Sequence, residues 1–361
     1  MARLCIGEPA FRQVPPATGS VLNQVNNKLD RSDPIASDVM EAALMGIQIG
    51  DALAMPVHWY YDRDALFNDY GRVTDFVAPK SPHPGSILWR SHWKAPSEEL
   101  DILAGRRHLW GQRNVHYHQD LAAGEPTLTA QLGAEVWRSL CHCGGFDAGD
   151  SLGRYIELLR HPQRHRDTYL EECHRGFFSN LGRGKPPEES AIVEKHIGGL
   201  IPMLAVAIFY AEEPATGREH ALRQLALTHA GGKMRVAAEA ILNLLERTFA
   251  GESLEEAVLA ECRDLRNPHF DYPFEQWLKR GDREVVGRRV SPACYVEGAV
   301  PAVIYLALKY SRRAEEGLIA NSNLGGDNVH RGSVLGALLG AEEGMACWPQ
   351  RWIDGLVSKD H

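Results

Sequence analysis

Asn323-Leu324-Gly325-Gly326-Asp327-Asn328-Val329-His330-Arg331-Gly332-Ser333-Val334-Leu335-Gly336-Ala337-Leu338-Leu339-Gly340 is the stretch on which the fold turns. Glycines 332, 336 and 340 recur at spacing four beside Leu335, Leu338 and Leu339, which places them along one side of a helix. In water each glycine weakens a helix by roughly 0.5–1 kcal/mol relative to alanine, so the stripe makes sense only with another backbone against it. The spacing predicts a central helix over 332–345. Ahead of it, Gly325 and Gly326 open backbone conformations closed to other residues, and the turn leads into a helix whose amino end favours a carboxylate. Asp327 is therefore either a functional acid or a plain cap on a helix beginning near Asn328.

Working outward, a second stripe of small residues, Ala42, Gly46, Gly50 and Ala54, permits close packing of a helix that Ser37 caps and that runs through Met40, Leu44, Ile47 and Leu53. Helical texture recurs at about 127–141, 148–160, 164–178, 200–212, 217–228, 233–249, 254–264 and 298–312, punctuated by Gly144-Gly145, Pro186-Pro187 and Gly231-Gly232. Alternating strands are not evident, so the fold class is all-α. Residues 1–33 carry three prolines and weak apolar periodicity and read as a partly disordered arm. Residues 34–361 read as a single domain with a loop-rich insertion at about 56–120, dense in Pro, His, Trp and Tyr, which is long enough to roof a pocket.

The 361 residues are 44% hydrophobic, enough for a large core. Forty-seven acidic against 39 basic residues give a charge of -8 without long single-sign blocks, which argues against a nucleic-acid-binding surface. No apolar run approaches the roughly 20 residues that span a bilayer, and the first residues lack a signal peptide's apolar segment. Seven cysteines scattered over the chain form no disulfide framework. The expected setting is cytoplasmic, with no membrane partner.

Three segments, Met45-Gly46-Ile47-Gln48-Ile49-Gly50-Asp51-Ala52-Leu53, Thr228-His229 and Asn323–Asp327 followed by Gly336–Gly344, together resemble the ADP-ribosylglycohydrolase family over about Glu41 to Gly344. The resemblance implies an orthogonal helical bundle with a pocket for ADP-ribose. It also implies two magnesium or manganese ions held by a Thr-Asp-Asp segment and a Gly-Gly-Asp-x-Asp-Thr segment. Hard carboxylate ligands around such ions orient ribose hydroxyls and lower the pKa of a bridging water.

The sequence departs from that pattern at the ligands. Asp327 remains, but Val329 and His330 stand where the family has aspartate and threonine. At the other segment, Ala123-Gly124-Glu125-Pro126-Thr127-Leu128-Thr129 keeps one acid, Glu125. His58 stands where some relatives carry a catalytic glutamate. No metal cofactor is expected; magnesium or manganese, if bound, would use Glu125 and Asp327. The expected catalytic groups are Asp327, facing an oxocarbenium-like C1, with Glu125 or His58 as the acid or base.

Substrate contacts are expected from Asp51, His118, Asp120, Asn323, Asn328 and His330, and from His196-Ile197-Gly198-Gly199, where a tight helix entry is an equal reading. His116-Tyr117-His118 has compact donor spacing, yet a polar loop is favoured over a zinc site. Trp59, Tyr60 and Tyr61 either stack on a base or belong to the core. The expected activity is hydrolysis of a ribosyl glycosidic bond in a small molecule, nucleotide or modified protein; the alternative is an inactive binding or structural relative.

Overall fold

The computed structural model describes residues 34–357 apart from 104, 162 and 265, so the expected arm 1–33 lies outside the described residues. Thirteen helices carry the fold: α1 (Pro34–Ala54), α2 (Arg63–Tyr70), α3 (Leu128–Cys143), α4 (Ala148–Arg160), α5 (Glu172–Gly182), α6 (Leu200–Phe209), α7 (Pro214–Ala226), α8 (Gly232–Phe249), α9 (Leu254–Asp264), α10 (Val296–Lys309), α11 (Ala314–Ser322), α12 (Asn328–Glu343) and α13 (Gln350–Gly355). One-turn segments link some of them. Two short strands, β1 (Ile192–Val193) and β2 (His229–Ala230), pair in parallel. The all-α expectation holds, and no helix among the described residues is long and apolar enough to cross a membrane.

The two stripes of small residues face each other. A Cβ on Gly336 would lie 2.0 Å from the Gly46 carbonyl oxygen, one on Gly50 2.1 Å from the Gly332 oxygen, and one on Gly340 2.2 Å from the Ala42 oxygen. Helices α1 and α12 thus touch backbone to backbone at the centre of the molecule. Around them α6, α8 and α10 bury nearly continuous apolar runs, including Met203, Leu204, Ile241, Leu245, Ile304 and Tyr305.

Some expectations are corrected. Helix α1 begins at Pro34, so Ser37 sits inside it and does not cap it; proline suits a first turn because its missing N–H is not needed there. The helix expected over 164–178 starts only at Glu172, because Asp167 bonds outside its own segment, to His118 and to the Leu128 amide. Helix α12 starts at Asn328, four residues early. Helices α2, α11 and α13 were not legible. Among the described residues of 56–120, only α2 and three one-turn segments are helical.

The Gly325-Gly326 turn is locked from three sides. Both glycines have positive φ, 63° and 66°, and a Cβ would strike the Tyr60 oxygen at 2.1 Å or the Pro292 oxygen at 2.3 Å. The Trp59 amide donates to Gly326 O (2.7 Å), and the Gly326 amide donates to Tyr60 O (2.8 Å). Buried Arg331 donates from Nη2 to Gly325 O at 3.0 Å and from Nε to Asn321 Oδ1 at 2.7 Å. The loop 57–60 and the start of α12 are therefore one unit, which brings His58 to Asp327.

At the far end of α12, Glu343 accepts from the Ala314 amide at 2.9 Å. Burial, and then the neighbouring Glu342 charge, push its carboxyl up from the ordinary 4.5 to about 7. A raised folded-state pKa means a contribution to stability that is full below about 4.5 and lost as pH rises through about 7. Glu343→Gln keeps the acceptor and removes the titration. The variant's melting temperature should fall less than the parent's between pH 5 and pH 8, as read by calorimetry; parallel curves would refute this.

Candidate active site

The amino end of α3 anchors the site. The Thr127 amide and hydroxyl donate to the two oxygens of Asp51, at 2.6 and 2.8 Å, and the Leu128 amide donates to Asp167 Oδ2 at 2.8 Å. Two buried carboxylates thus share one helix N-terminus, where unpaired amides and the helix dipole favour them. Burial raises the Asp51 carboxyl to about 6 despite the Thr127 bonds.

From Asp167 an unbroken chain of six buried groups runs across the pocket. Asp167 Oδ1 lies 2.6 Å from His118 Nδ1, and His118 Nε2 lies 2.6 Å from His58 Nδ1. His58 Nε2 lies 3.0 Å from Asp327 Oδ1. His330 Nδ1 is 2.9 Å from Asp327 Oδ1, and its Nε2 is 3.1 Å from both Glu171 Oε1 and Thr129 Oγ1. His116 holds His118 from behind: its Nδ1 accepts from the His118 amide, and its Nε2–H donates to Pro56 O, both at 3.0 Å.

The geometry fixes the protons. Ionised carboxylates bring none, so each link needs one hydrogen from an imidazole. His330 sits between the Asp327 and Glu171 carboxylates, a setting that favours the imidazolium. Burial would lower its pKa, but the Asp327 and Glu171 charges outweigh burial and raise it to about 10. Burial would likewise raise the Asp327 carboxyl; the His330 charge, with bonds from His330 and His58, holds it well below the usual carboxylate range. Burial presses His58 to about 3, hence to the neutral form, and one hydrogen lies in the 2.6 Å link between the two stacked rings. The hydrogen of the His58–His118 link is the one in the chain that lies between two ring nitrogens and on no carboxylate.

Asp327 does not cap α12 with its side chain; its oxygens go to the imidazoles. The small cavity beside the chain, about 10 Å³, is lined by His58, His118, Thr129, Asp167, Glu171 and His330 among others, with Asp327 behind them. A second cavity of about 20 Å³ adjoins it through Thr129, Glu171 and His174. Each has room for roughly one water. Trp59, held at φ 61°, stacks on His58 with ring centres 4.1 Å apart and meets Tyr169 edge-on. Tyr169 stacks on Trp110, which lines an outer cleft of about 430 Å³ with His92, Lys94 and Arg107.

Of the residues expected from sequence, His58, His118, Asp327 and His330 come together in the chain, and Asp51 lies beside it. Glu125 does not join it: its buried carboxylate is engaged by Arg166 and by the Ala122 amide. Asp120 is exposed, with Thr168 Oγ1 at 3.4 Å. His196 packs against Tyr295. Asn323 clamps the Val73 backbone, and Asn328 Nδ2 donates to Ser322 O at 2.8 Å. Gly198 and Gly199 make room for side chains, since a Cβ would meet Glu171 Oε2 at 3.2 Å and the His229 ring at 2.6 Å. Asp167, Glu171, Thr127 and Thr129 were missed. Trp59 is part-buried at the mouth, Tyr60 is core and Tyr61 is exposed.

The model of the ADP-ribosylglycohydrolase family matches residues 32–361. The chain belongs to the ADP-ribosylglycohydrolase family. None of the curated proteins compared with it matches. A solved structure described as an "ADP-ribosylglycohydrolase-related protein complex" superposes with a TM-score of 0.59 at 20% identity, over 89% of this chain and 92% of that one. Identity that low speaks for the fold alone, and the fold is that of the family.

Within the ADP-ribosylglycohydrolase frame, Val329 occupies the place of a metal-binding aspartate by resemblance. Its side chain is buried in an apolar cluster with Ala54, Met55 and Leu121.

Proposed function

We propose that this family member hydrolyses a ribosyl glycosidic bond by carboxylate–imidazole chemistry, without the two-ion cluster that the family resemblance implies. The observation carrying the proposal is the chain Asp167–His118–His58–Asp327–His330–Glu171, in which imidazoles space three carboxylates, Asp167 and Glu171 on the cavity wall and Asp327 behind it. A paired hard-cation site does not fit these residues. Val329 offers no donor, Glu125 is bound to Arg166, Asp51 to Thr127, and both Asp327 oxygens face imidazole nitrogens. Magnesium demands near-octahedral oxygen ligation.

In this reading, Glu171, on the cavity wall, stabilises positive charge growing at ribose C1. As the bond from C1 to the leaving atom breaks, the proton of the His58–His118 link passes to that atom. Water then bonds to C1, and the proton it sheds refills the link, so the chain ends as it began. Asp327 touches neither substrate nor water; it is a positioning residue that holds His58 and His330 in their tautomers. A ribosyl substrate is far larger than either cavity, so binding requires the cover of Trp59, Tyr169 and Trp110 to part toward the outer cleft.

One feature favours the second reading, an inactive relative: each cavity beside the chain holds about one water. The assay that separates the two is release of free ADP-ribose from ADP-ribosylated arginine and serine peptides, with and without millimolar magnesium or manganese. Turnover independent of added ion is expected. Strict magnesium dependence would overturn the mechanism, and inertness toward every ribosyl substrate would establish the second reading.

A further inference from the structure

Beside the last member of the carboxylate–imidazole chain, Glu171, stand two buried groups that the chain does not use, Cys173 and His229. Glu171 and Cys173 stand at the start of α5, and His229 stands on β2, brought over them by the pairing of β1 with β2. One donor atom from each of the three lies within 4.8 Å of the others, and all three residues are buried. His229 is 5% exposed, and its Nε2 has no hydrogen-bond partner. Its Nδ1 lies 2.9 Å from the Thr228 hydroxyl oxygen. A proton on Nδ1 donated to Thr228 leaves the Nε2 lone pair bare, the arrangement by which an outer hydrogen bond orients a metal-binding imidazole. A buried, unpaired ring nitrogen is costly unless something takes it up.

We propose that Glu171, Cys173 and His229 form a site for a borderline divalent cation, with zinc the ion their sulfur, nitrogen and oxygen donors suit. Around tetrahedral zinc, bonds of about 2.0–2.3 Å place donors roughly 3.3–3.8 Å apart, so the trio needs to close by about 1 Å, within reach of side-chain rotation. Cys173 Sγ lies 3.9 Å from Glu171 Oε2, while Oε1 faces His330. Glu171 can therefore give one oxygen to the ion and keep the other on the imidazolium. The thiol proton leaves for solvent as the cation enters, and thiolate plus carboxylate neutralise the double charge. Before that, burial and then the Glu171 charge keep the thiol protonated, well above its ordinary range. Gly199 is required by this arrangement, since a Cβ there would meet the His229 ring. Three protein ligands leave a fourth position toward the cavity, where Tyr155, Thr228 and His174 form the wall.

The ion shares Glu171 with the hydrolytic proposal, so its test reads binding, not turnover. Metal-stripped full-length protein is titrated with Co²⁺, then with Zn²⁺ in competition. The expected result is one Co²⁺ per chain with a thiolate-to-cobalt charge-transfer band that zinc abolishes. Cys173→Ser should remove the band, and His229→Gln should weaken binding tenfold or more, with circular dichroism verifying the fold of each. Absence of Co²⁺ binding, or binding without the charge-transfer band, would overturn the proposal. So would a band that persists in Cys173→Ser, which would place the ion on another thiol. If Cys173→Ser does not fold, His229→Gln decides: unchanged affinity there rejects the site. Binding without thiolate character would point instead to the other buried trio, His58, Asp327 and His330.

Discussion

Asp327→Asn should reduce hydrolysis by on the order of 10³–10⁴-fold, the scale seen when an imidazole loses the carboxylate that fixes its tautomer. Asp327 accepts from His58 Nε2 and His330 Nδ1. An asparagine keeps the shape, but its amide nitrogen carries hydrogens, so at least one imidazole N–H meets another donor. His330 then loses a charge partner while buried, and His58 turns to the wrong tautomer for receiving the proton of its link with His118. The same substitution removes one partner of a buried ion pair, which costs about 3–5 kcal/mol, so the melting temperature should fall as well. Because Asp327 stands behind the imidazoles and away from the substrate, the loss should appear in kcat, with KM little changed. A variant that keeps its turnover within tenfold, or loses it through KM alone, would dismiss the positioning role.

The parts of this molecule that sequence reveals are those where one residue type has one physical use. Glycines at spacing four in 332–340 have no reason to exist in water except a facing backbone, and α1 supplies it. Histidines 58, 118 and 330 beside Asp327 were legible because titratable groups near glycine turns are chemically conspicuous. Asp167 and Glu171 were hidden: they lie in 164–178, whose texture reads as a helix surface, and only the folded chain shows that 167–171 precedes the helix and faces inward. Glu125 shows the converse. A lone acid in a recognisable segment reads as unpartnered, whereas its guanidinium partner, Arg166, comes from 41 residues away. Likewise Gly198-Gly199 signalled close approach correctly, but what approaches is Glu171 and His229. Local pattern predicts that something comes near, and tertiary structure decides what.

Gly336→Ala tests the other end of that reasoning, and its effect should be the largest on stability from a single methyl group. In an ordinary helix the change would help, since alanine is favoured over glycine by up to about 1 kcal/mol. Here the new Cβ would sit 2.0 Å from the Gly46 carbonyl oxygen and 2.6 Å from its carbon, far inside contact distance. No flexible side chain stands there to swing away; what must yield is the α1 backbone. Helix α1 cannot retreat cheaply, because Gly50 and Ala42 hold the same approach one turn to either side. Overpacking ordinarily costs about 1–3 kcal/mol through side-chain adjustment, and separation of two central helices should exceed that range. Gly336→Ala should therefore shift the denaturant midpoint strongly downward or leave the protein insoluble. Gly281→Ala, with nothing within 4 Å of the added carbon, is the matched control and should be near neutral. If both variants unfold alike, the glycine stripe is not what sets the α1–α12 distance. If Gly336→Ala alone collapses, the stripe sets that distance, and the carboxylate–imidazole chain depends on it, since Asp327 and His330 ride at the start of α12.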